Sequence, residues 1–270
     1  MLTIHVAIDE SVYSLRGIML GEMLQRQLSG RLLLTSVATS PERAERRREA
    51  LLQLLERHRL ADYREALNIE VGEEAATVLA RLASQPDTLL CLTSHGRHST
   101  SELFLGSVAA QAVREAGAPV VVRGPRFDPE ATRRFDTLMV CVDGSPLSEA
   151  MLPHAVTLAR QLGARLQLLQ VLGKRTVEGV PEESGHGDVM ESSYMHGLAR
   201  RLHQADGIDP DWEVLHGDPA QAIVGYLADC RNTLLAMTTH GRSGLARVIG
   251  GSVSHAVLHQ ARCPVAILRP

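Results

Sequence analysis

The chain reads Thr93-Ser94-His95-Gly96, then nine residues, then Gly106-Ser107-Val108. The same pattern returns as Thr238-Thr239-His240-Gly241, nine residues, then Gly251-Ser252-Val253. Corresponding glycines and serines of the two copies are 145 positions apart, which indicates a duplication. The 270-residue sequence therefore predicts two halves of similar structure.

Each copy of this stretch predicts a buried strand followed by a turn and a helix. Apolar residues dominate 88–92 and 233–237, the pattern of a strand that is buried on both faces. After Gly106-Ser107 and Gly251-Ser252 the apolar residues recur at helical spacing, so a helix begins at each pair. A helix start offers unpaired N–H groups and a partial positive charge, and glycine lets a ligand approach the backbone closely. The stretch therefore suits a phosphate group.

The same residues also have a purely structural interpretation. Gly96 and Gly241 can simply end their strands, and each Gly-Ser pair can be an ordinary helix cap. No convincing catalytic set accompanies them, because the serines have His95 or His240 upstream but no identifiable acid to orient the histidine. We therefore expect binding, with slow hydrolysis as the upper limit of any activity.

The alternation of elements predicts the fold class. Five strands alternate with helices in each half, which is typical of a doubly wound, mostly parallel sheet flanked by helices. The predicted strands cover 2–9, 31–37, 67–71, 88–92 and 119–122 in the first half, and 137–143, 165–171, 212–215, 233–237 and 264–268 in the second. The early helices are predicted over 14–28 and 148–162, with Gly30 and Gly163 as their C-terminal glycines.

Length and composition predict the domain organisation. We place one domain at 1–124, a linker at 125–135 and a second domain at 136–270. With 44% hydrophobic residues the chain can bury two ordinary cores, which we expect to lie one in each half. Pro125 and Pro129 indicate that the linker is an ordered crossing on the surface.

The charge balance and the lysine content argue against several kinds of function. Residues 1–124 contain 14 basic and 15 acidic side chains, and the rest contain 14 and 16, so neither half has the basic excess of a nucleic-acid binder. Long apolar runs and a signal peptide are not recognisable, so we expect a cytoplasmic protein that does not bind a membrane. Lys174 is the single lysine, which rules out a Walker-type phosphate loop.

Metal ligands are not prominent in the sequence. An insertion over 173–190 reads as a mobile loop, and its His186 and Asp188 are too few to predict a metal site. The cysteines lack Cys-x-x-Cys spacing, so we expect reduced thiols in the core rather than ligands or disulfides. They are Cys91, Cys141, Cys230 and Cys263.

Two acids follow the first strand of each half. Asp9 and Asp143 should lie at the carboxyl ends of parallel strands, where ligands bind in such sheets. Both can equally be N-caps of the next helix. They differ in the residue that follows, because Glu10 stands where the second half has Gly144.

Arginines supply the nearest positive charge. Arg97 and Arg242 come directly after the turn glycines, where either could reach a phosphate or remain solvated. A further arginine cluster over 43–48 begins an amphipathic helix, and we expect it to form the charged outer face of that helix.

At these motifs the sequence resembles the universal stress protein family in its tandem two-domain form. Nucleotide-binding members carry Gly-x-x-Gly, nine residues, then Gly-Ser or Gly-Thr. Gly96 with Gly106-Ser107 and Gly241 with Gly251-Ser252 match this motif, while Thr93 and Thr238 replace its first glycine. The resemblance covers nearly the whole chain and implies an adenine nucleotide alpha hydrolase-like, Rossmann-like fold in each half.

The resemblance also implies a ligand and an arrangement of the halves. The ligand is ATP, or ADP or AMP, with Mg²⁺ as an optional companion. The last strands of the two halves pair antiparallel across a pseudo-twofold axis, so the halves dock as an intramolecular pseudo-dimer; a homodimer is left open. The implied nucleotide-binding residues are Asp9, Val37, Thr93, Gly96, Arg97, Gly106, Ser107 and Val108 in the first half, and Asp143, Val171, Thr238, Gly241, Arg242, Gly251, Ser252 and Val253 in the second.

The implied function is that of a cytoplasmic stress-response sensor or regulator that binds an adenine nucleotide and is at most a slow ATPase. The alternative is a nucleotide-free interaction module of the same family, toward which Thr93 and Thr238 would mark a drift. Enzymes of related architecture fit less well, because an adenylating pyrophosphatase would need Ser-Gly-Gly-x-Asp-Ser after the first strand. The sequence identifies neither the protein partner nor the stress.

Overall fold

The first half of the chain alternates strands and helices. The computed structural model describes residues 1–94, 106–173, 186–239 and 252–270, with side chains from 192 onward in the third range. The first half contains β1 (Thr3–Ala7), α1 (Val12–Leu15), α2 (Gly17–Leu28), β2 (Arg31–Ala38), α3 (Pro41–Arg57), a 3-10 helix (Ala61–Ala66), β3 (Leu67–Val71), α4 (Ala75–Ala83), β4 (Thr88–Thr93), α5 (Ser107–Glu115) and β5 (Val120–Arg123).

The second half repeats this order without the 3-10 helix in its described part. Its elements are β6 (Thr137–Val142), α6 (Pro146–Glu149), α7 (Leu152–Leu162), β7 (Arg165–Leu172), α8 (His186–Asp206), β8 (Asp211–His216), α9 (Pro219–Ala228), β9 (Thr233–Thr238), α10 (Ser252–Gln260) and β10 (Val265–Leu268).

All ten of these strands form one sheet. Their order is β3-β2-β1-β4-β5-β10-β9-β6-β7-β8. Neighbouring strands are parallel except at the centre, where β5 and β10 pair antiparallel with Val121 opposite Ala266. The doubly wound α/β fold class is confirmed, and the halves meet through their last strands as the resemblance implies.

The hydrophobic core is divided by the faces of the sheet rather than by the halves of the chain. Val121 faces one cluster of buried side chains, and its neighbours Val120 and Val122 face the other. Each cluster draws residues from both halves, as Ile4 and Leu138 do in the first. The expectation of one core in each half is therefore wrong, because the β5–β10 pairing makes one continuous sheet whose two faces each bury one layer.

The predicted helices over 14–28 and 148–162 are each broken near their start. A short helix ends at Leu15 or Glu149, and the longer helix begins again at Gly17 or Leu152. Ser11 and Ser145 cap the short helices, so these helices begin earlier than apolar spacing alone predicted.

The two predicted C-terminal glycines have different roles. Gly163 adopts the left-handed conformation with φ 61°, which confirms it as the residue that ends α7. In the first half Ser29 takes that conformation with φ 50°, so Gly30 is not the left-handed residue. A Cβ on Gly30 would lie 2.7 Å from the Leu2 carbonyl oxygen, so glycine is needed there for close approach.

The segments after the second strands confirm one prediction and correct another. The charged helix appears as α3, capped by Ser40 with Pro41 in its first turn. The loop predicted over 173–190 extends too far toward the C-terminus, because α8 already begins at His186. Residues 174–185 lie outside the described part of the chain. Apolar residues at helical spacing bury one face of α8, namely Met195, Leu198 and Leu202.

The segment 125–135 that crosses between the halves is anchored in the core and does not lie only on the surface. Phe127 and Phe135 are buried at its two ends. The Arg123 guanidinium donates to the carbonyl oxygens of Gly124 (3.3 Å) and Phe127 (3.0 Å). The ordered conformation therefore comes from buried aromatic side chains and backbone hydrogen bonds as much as from the prolines.

Gln27 joins the crossing to helices of both halves. Its side-chain amide donates to the carbonyl oxygens of Phe135 (2.7 Å) and Leu162 (2.7 Å), and its oxygen accepts from the Phe135 N–H (2.8 Å). We expect Gln27→Ala to lower the free energy of unfolding by about 2 kcal/mol, because it leaves several partly buried groups unpaired. Urea denaturation measures this.

Gln25→Ala is the matched control for this prediction, since the residue lies on the same helix and is half-buried. We expect it to change the stability by about 0.5 kcal/mol at most. Equal losses in the two variants would contradict the assigned role of Gln27.

The four cysteines are free thiols. Cys91 and Cys263 are buried in the core as predicted, while Cys141 and Cys230 are half-buried. Burial raises the pKa of Cys91, Cys141 and Cys263 to about 12. These three thiols are therefore protonated at neutral pH, which makes them poor nucleophiles and poor metal ligands.

Candidate functional site

Each half has a point at which the strand order reverses, and we call the region outside the carboxyl ends of the strands there the crevice of that half. In the first half β1 lies between β2 and β4. Helices α2 and α3 contribute to the core on one face of the sheet, and α4 and α5 contribute to the core on the other. The chain therefore leaves the carboxyl ends of the neighbouring strands β1 and β4 toward opposite layers. Open α/β sheets bind their ligands at such a point. The second half has the same arrangement around β6 and β9.

Asp9 stabilises the turn that follows β1. Its Oδ1 accepts from the N–H (2.9 Å) and from the hydroxyl (2.5 Å) of Ser11. The Ser11 hydroxyl oxygen in turn accepts from the Ser14 N–H, and the Ser14 hydroxyl oxygen accepts from the Asp9 N–H. The N-cap is thus Ser11, and the alternative that Asp9 itself is the N-cap is wrong.

Asp143 repeats this arrangement after β6. Its Oδ1 accepts from the N–H (2.9 Å) and the hydroxyl (2.6 Å) of Ser145, and Ser145 caps α6. The Asp143 N–H donates to the Ser148 hydroxyl oxygen at 3.1 Å. Asp143 is therefore not the N-cap either. Both acids are half-buried at the mouth of their crevice and are held by Oδ1.

The start of α5 is brought against the end of β4. The Gly106 N–H donates to the Ser94 carbonyl oxygen at 3.1 Å, and Gly106 is the N-cap of the helix. The N-cap is a glycine, so it has no side chain of its own to accept from the first-turn N–H groups. Ser107 and Val108 are exposed in its first turn. Helix geometry leaves the first N–H groups without intrahelical partners, so this positive helix end lies beside the carboxyl end of β4 with donors to offer.

The threonines that replace the first motif glycine end β4 and β9. Thr93 is half-buried, and its methyl group lies close to the start of α2, 3.7 Å from where a Cβ on Gly17 would be. Thr238 is buried. The side chain of Thr93 therefore packs against a helix, and what remains for a ligand at this position is chiefly the backbone.

Two residues of the implied nucleotide-binding set, Val37 and Val171, lie near the ends of β2 and β7. Val37 pairs with Glu70 of β3, and Val171 pairs with Leu215 of β8. Both valines are half-buried and pack against the same core cluster, on the face that α4 and α5 cover in the first half. They are neither fully buried core residues nor freely exposed.

In the second half, Ser252 is exposed and Val253 half-buried in the first turn of α10. The other predicted residues lie outside the described part of the chain: Gly96, Arg97, Gly241, Arg242 and Gly251, together with His95 and His240. Among the residues that the structure does describe, no group of three or more histidine, cysteine or acidic side chains could hold a metal ion.

Sequence reasoning missed a buried arginine beside the first crevice. Arg123 is 9% exposed at the end of β5, in register with Thr93. Burial lowers the pKa of its guanidinium, and the nearby Arg16 lowers that pKa further. The signal in the sequence is a charged residue at the end of an apolar strand, where the duplicated position holds Leu268.

Sequence reasoning also missed an ion pair beside Asp9. The Arg47 guanidinium contacts the Glu10 carboxylate at 3.0 Å, so this arginine of the 43–48 cluster is not merely part of a solvated face. Arg43 donates to the Thr39 hydroxyl oxygen at 2.9 Å. The two residues of the ion pair are 37 positions apart in the chain, which is why no local pattern indicates their contact.

The fold and the two crevices define a tandem α/β protein of the doubly wound class. The profile of the universal stress protein family matches residues 1–123 and again 134–269. The chain therefore belongs to the universal stress protein family, with two family units in tandem.

Individual relatives agree with this assignment. The chain is 32% identical over 185 residues to universal stress protein Rv2005c of Mycobacterium tuberculosis, covering 67% of this chain and 61% of the relative. It is 29% identical to universal stress protein YxiE of Bacillus subtilis over 148 residues, which is 50% of this chain and 99% of that protein.

A solved structure extends the likeness to the whole fold. A universal stress protein from Archaeoglobus fulgidus superposes with a TM-score of 0.65 over 99% of this chain and 98% of that one, at 19% identity. This likeness shows a shared fold. No helix in the described ranges is long and apolar enough to cross a membrane.

Proposed function

We propose that this protein binds an adenine nucleotide in the crevice of each half and acts as a nucleotide-responsive regulator in the stress response. The observation that supports this best is the convergence of two chemically different groups at one sheet edge. A hydrogen-bond acceptor, Asp9, and a helix start with a glycine as its cap, Gly106-Ser107, lie beside the carboxyl ends of the neighbouring strands β1 and β4. A nucleotide carries the complementary groups of both kinds.

The chemistry of these groups orients the ligand. A carboxylate can only accept hydrogen bonds, so Asp9 and Asp143 suit the hydroxyls of the ribose rather than the phosphates. The N–H groups of a helix start can only donate and lie in a positive potential, so the first turn of α5 suits the phosphates. The base then lies toward β2 or β7, where Val37 and Val171 offer half-buried apolar contact.

The full proposed site keeps every residue of the predicted set. It includes the glycines and arginines outside the described ranges, Gly96, Arg97, Gly241, Arg242 and Gly251. ATP, ADP and AMP all have the groups required. Mg²⁺ would be held chiefly by the phosphates, as is usual for this ion.

We further propose a cytoplasmic protein in which residues 1–124 and 136–270 each supply one site. Hydrolysis is expected to be slow at most, because the two groups that converge at each crevice bind and orient a ligand but supply no activated nucleophile. The second candidate is a nucleotide-free interaction module. This alternative is supported by Thr93, which replaces the first glycine of the motif and whose side chain packs toward Gly17 of α2.

Equilibrium binding of labelled ATP to Gly106→Ala and Gly251→Ala tests the site. A methyl group at either helix start interferes with close approach of the phosphates. We expect each variant to weaken one of the two sites about tenfold, equivalent to about 1.4 kcal/mol.

Gly225→Ala is the control for this experiment, because that exposed glycine has open space around its Cβ position. It should leave ATP affinity unchanged. Wild-type affinity in both Gly106→Ala and Gly251→Ala would reject the proposed site.

A further inference from the structure

A buried polar pair joins β1 to β2 in the first half. His5 and Thr35 are 5% and 0% exposed, and the His5 Nδ1 lies 2.8 Å from the Thr35 Oγ1. Side chains alternate along a strand, and Val6 and Leu34 belong to the other core cluster, so the pair shares the sheet face of Val37. The His5–Thr35 pair is therefore a polar contact within an apolar layer of the core.

The second half has an apolar pair at the corresponding positions. An offset of 134 positions relates the first two strands of the halves, and it places Met139 where the first half has His5. The same offset places Leu169 where the first half has Thr35. Met139 and Leu169 are 0% and 1% exposed and belong to the core cluster on that face. The fold therefore does not need a polar pair at this place.

Thr35 connects the pair to the residues of the first crevice. Its carbonyl oxygen accepts from the Ile8 N–H at 2.9 Å, and Asp9 follows Ile8 directly. Val37, which we propose to contact the base, lies two residues further along β2. A shift of the strands at the His5–Thr35 pair therefore displaces Asp9 and Val37 relative to each other.

The surroundings of His5 favour its neutral form. Burial has the largest effect and lowers the pKa of His5, because a charged imidazolium would lose its hydration there. Glu70 of β3 raises this pKa and Arg31 of β2 lowers it, so the charges that act on His5 oppose each other. Arg81 of α4 contacts Glu70 at 3.8 Å, and β4 carries no ionic side chain.

Mild acid therefore acts against the folded form of the first half. The unfolded chain takes up a proton at His5 near the ordinary pKa of about 6.5, whereas the folded chain does so only at lower pH. The stability that neutral His5 contributes is complete above about pH 6.5 and is lost progressively as the pH falls below that value. A proton taken up in the folded state places a charge between β1 and β2.

We propose that the His5–Thr35 pair makes nucleotide binding in the first crevice sensitive to acid, so that protonation of His5 releases the nucleotide from the first half while the second half retains it. This inference rests on the proposed function, since it assumes a nucleotide in each crevice. A charged His5 favours conformations in which β1 and β2 separate and water reaches the ring. Those conformations lose the arrangement of Asp9 and Val37 that binds the ligand.

ATP binding to the full chain at about pH 7.5 and about pH 5.5 tests this inference. The Gly251→Ala variant reports chiefly on the first crevice, and Gly106→Ala reports chiefly on the second. We expect acid to weaken the first crevice at least about threefold more than the second. The protonation of ATP itself affects both crevices, so the difference between them isolates the contribution of the protein.

His5→Met combined with Thr35→Leu gives the first half the residue pair of the second half. In the Gly251→Ala background this double change should abolish the additional acid sensitivity, because it removes the titrating group and keeps the layer apolar. His58→Gln is the matched control, since it removes an exposed histidine from the same half. It should leave the ratio of ATP affinities at the two pH values as it is in Gly251→Ala alone.

Urea denaturation without nucleotide gives a second readout. Between the same pH values the wild-type chain should lose more stability than the chain with His5→Met and Thr35→Leu. Equal acid sensitivity of the two crevices, a comparison that needs neither change in the pair, would overturn the inference and leave the proposed function standing. Unchanged acid sensitivity in the double variant would do the same. A wild-type chain that binds no adenine nucleotide at about pH 7.5 would overturn both.

Discussion

Replacing Phe135 with alanine is expected to lower the free energy of unfolding by about 4 kcal/mol, the largest stability effect that we expect. Phe135 is 0% exposed and is among the largest fully buried side chains. It lies where the crossing enters the second half, in the core cluster that both halves share. The substitution removes a ring at the junction of the halves and leaves a cavity. Urea denaturation followed by circular dichroism measures the loss.

Phe135→Leu is the graded control for this prediction. Leucine refills much of the volume, so we expect a loss of about 1.5 kcal/mol. If Phe135→Ala costs no more than Phe135→Leu, the crossing is not anchored in the core as the structure indicates.

Changing both Asp9 and Asp143 to asparagine is expected to weaken ATP binding at least about tenfold, or about 1.4 kcal/mol. Asparagine keeps one oxygen, which can still accept from Ser11 or Ser145 and preserve the turn. Its second polar atom donates instead of accepting, so the proposed bond from a ribose hydroxyl is lost. Calorimetric titration with ATP measures the change.

The control for the double variant is Asp218→Asn. The Oδ1 of Asp218 likewise accepts a backbone hydrogen bond at a helix start, from the Gln221 N–H at 2.9 Å. This acid precedes α9 and follows β8, the strand at the outer edge of the sheet. ATP affinity should stay at the wild-type value. If the Asp9→Asn, Asp143→Asn protein also retained full affinity and stability, the acids would have a structural role alone.

Most of the fold was predictable because it depends on patterns within single elements. The apolar runs that became β4 and β9 are too short for helices and are buried on both faces. The 145-residue repeat extended each prediction to the other half. The antiparallel pairing of β5 with β10 followed from the family resemblance and not from any local pattern.

Two of the failures share one physical cause, which is contact between residues distant in sequence. The two cores follow the faces of a shared sheet, and nothing in the composition of one half indicates that its last strand pairs with the other half. Gly30 is required by the close carbonyl oxygen of Leu2, the residue just before β1, although the position of Gly30 suggested a helix cap. The early start of α1 has a local cause instead, namely the capping hydrogen bonds between Ser11 and Ser14, which apolar spacing does not register.

The candidate site was predictable in its types of residue and not in its electrostatics. The positions of Asp9 and Gly106 at neighbouring strand ends agree with the expectation for a parallel sheet, whereas their ligand contacts stay a prediction. The Glu10–Arg47 pair and the buried Arg123 were not predictable, because each depends on how a helix or crossing packs over the sheet edge.

A crystal structure of the full chain grown with ATP and Mg²⁺ tests the central claim most directly. We expect nucleotide in both halves, with phosphates at the first turns of α5 and α10 and ribose hydroxyls donating to Asp9 and Asp143. Crevices filled by the protein's own side chains in both halves, with no nucleotide bound, would contradict it.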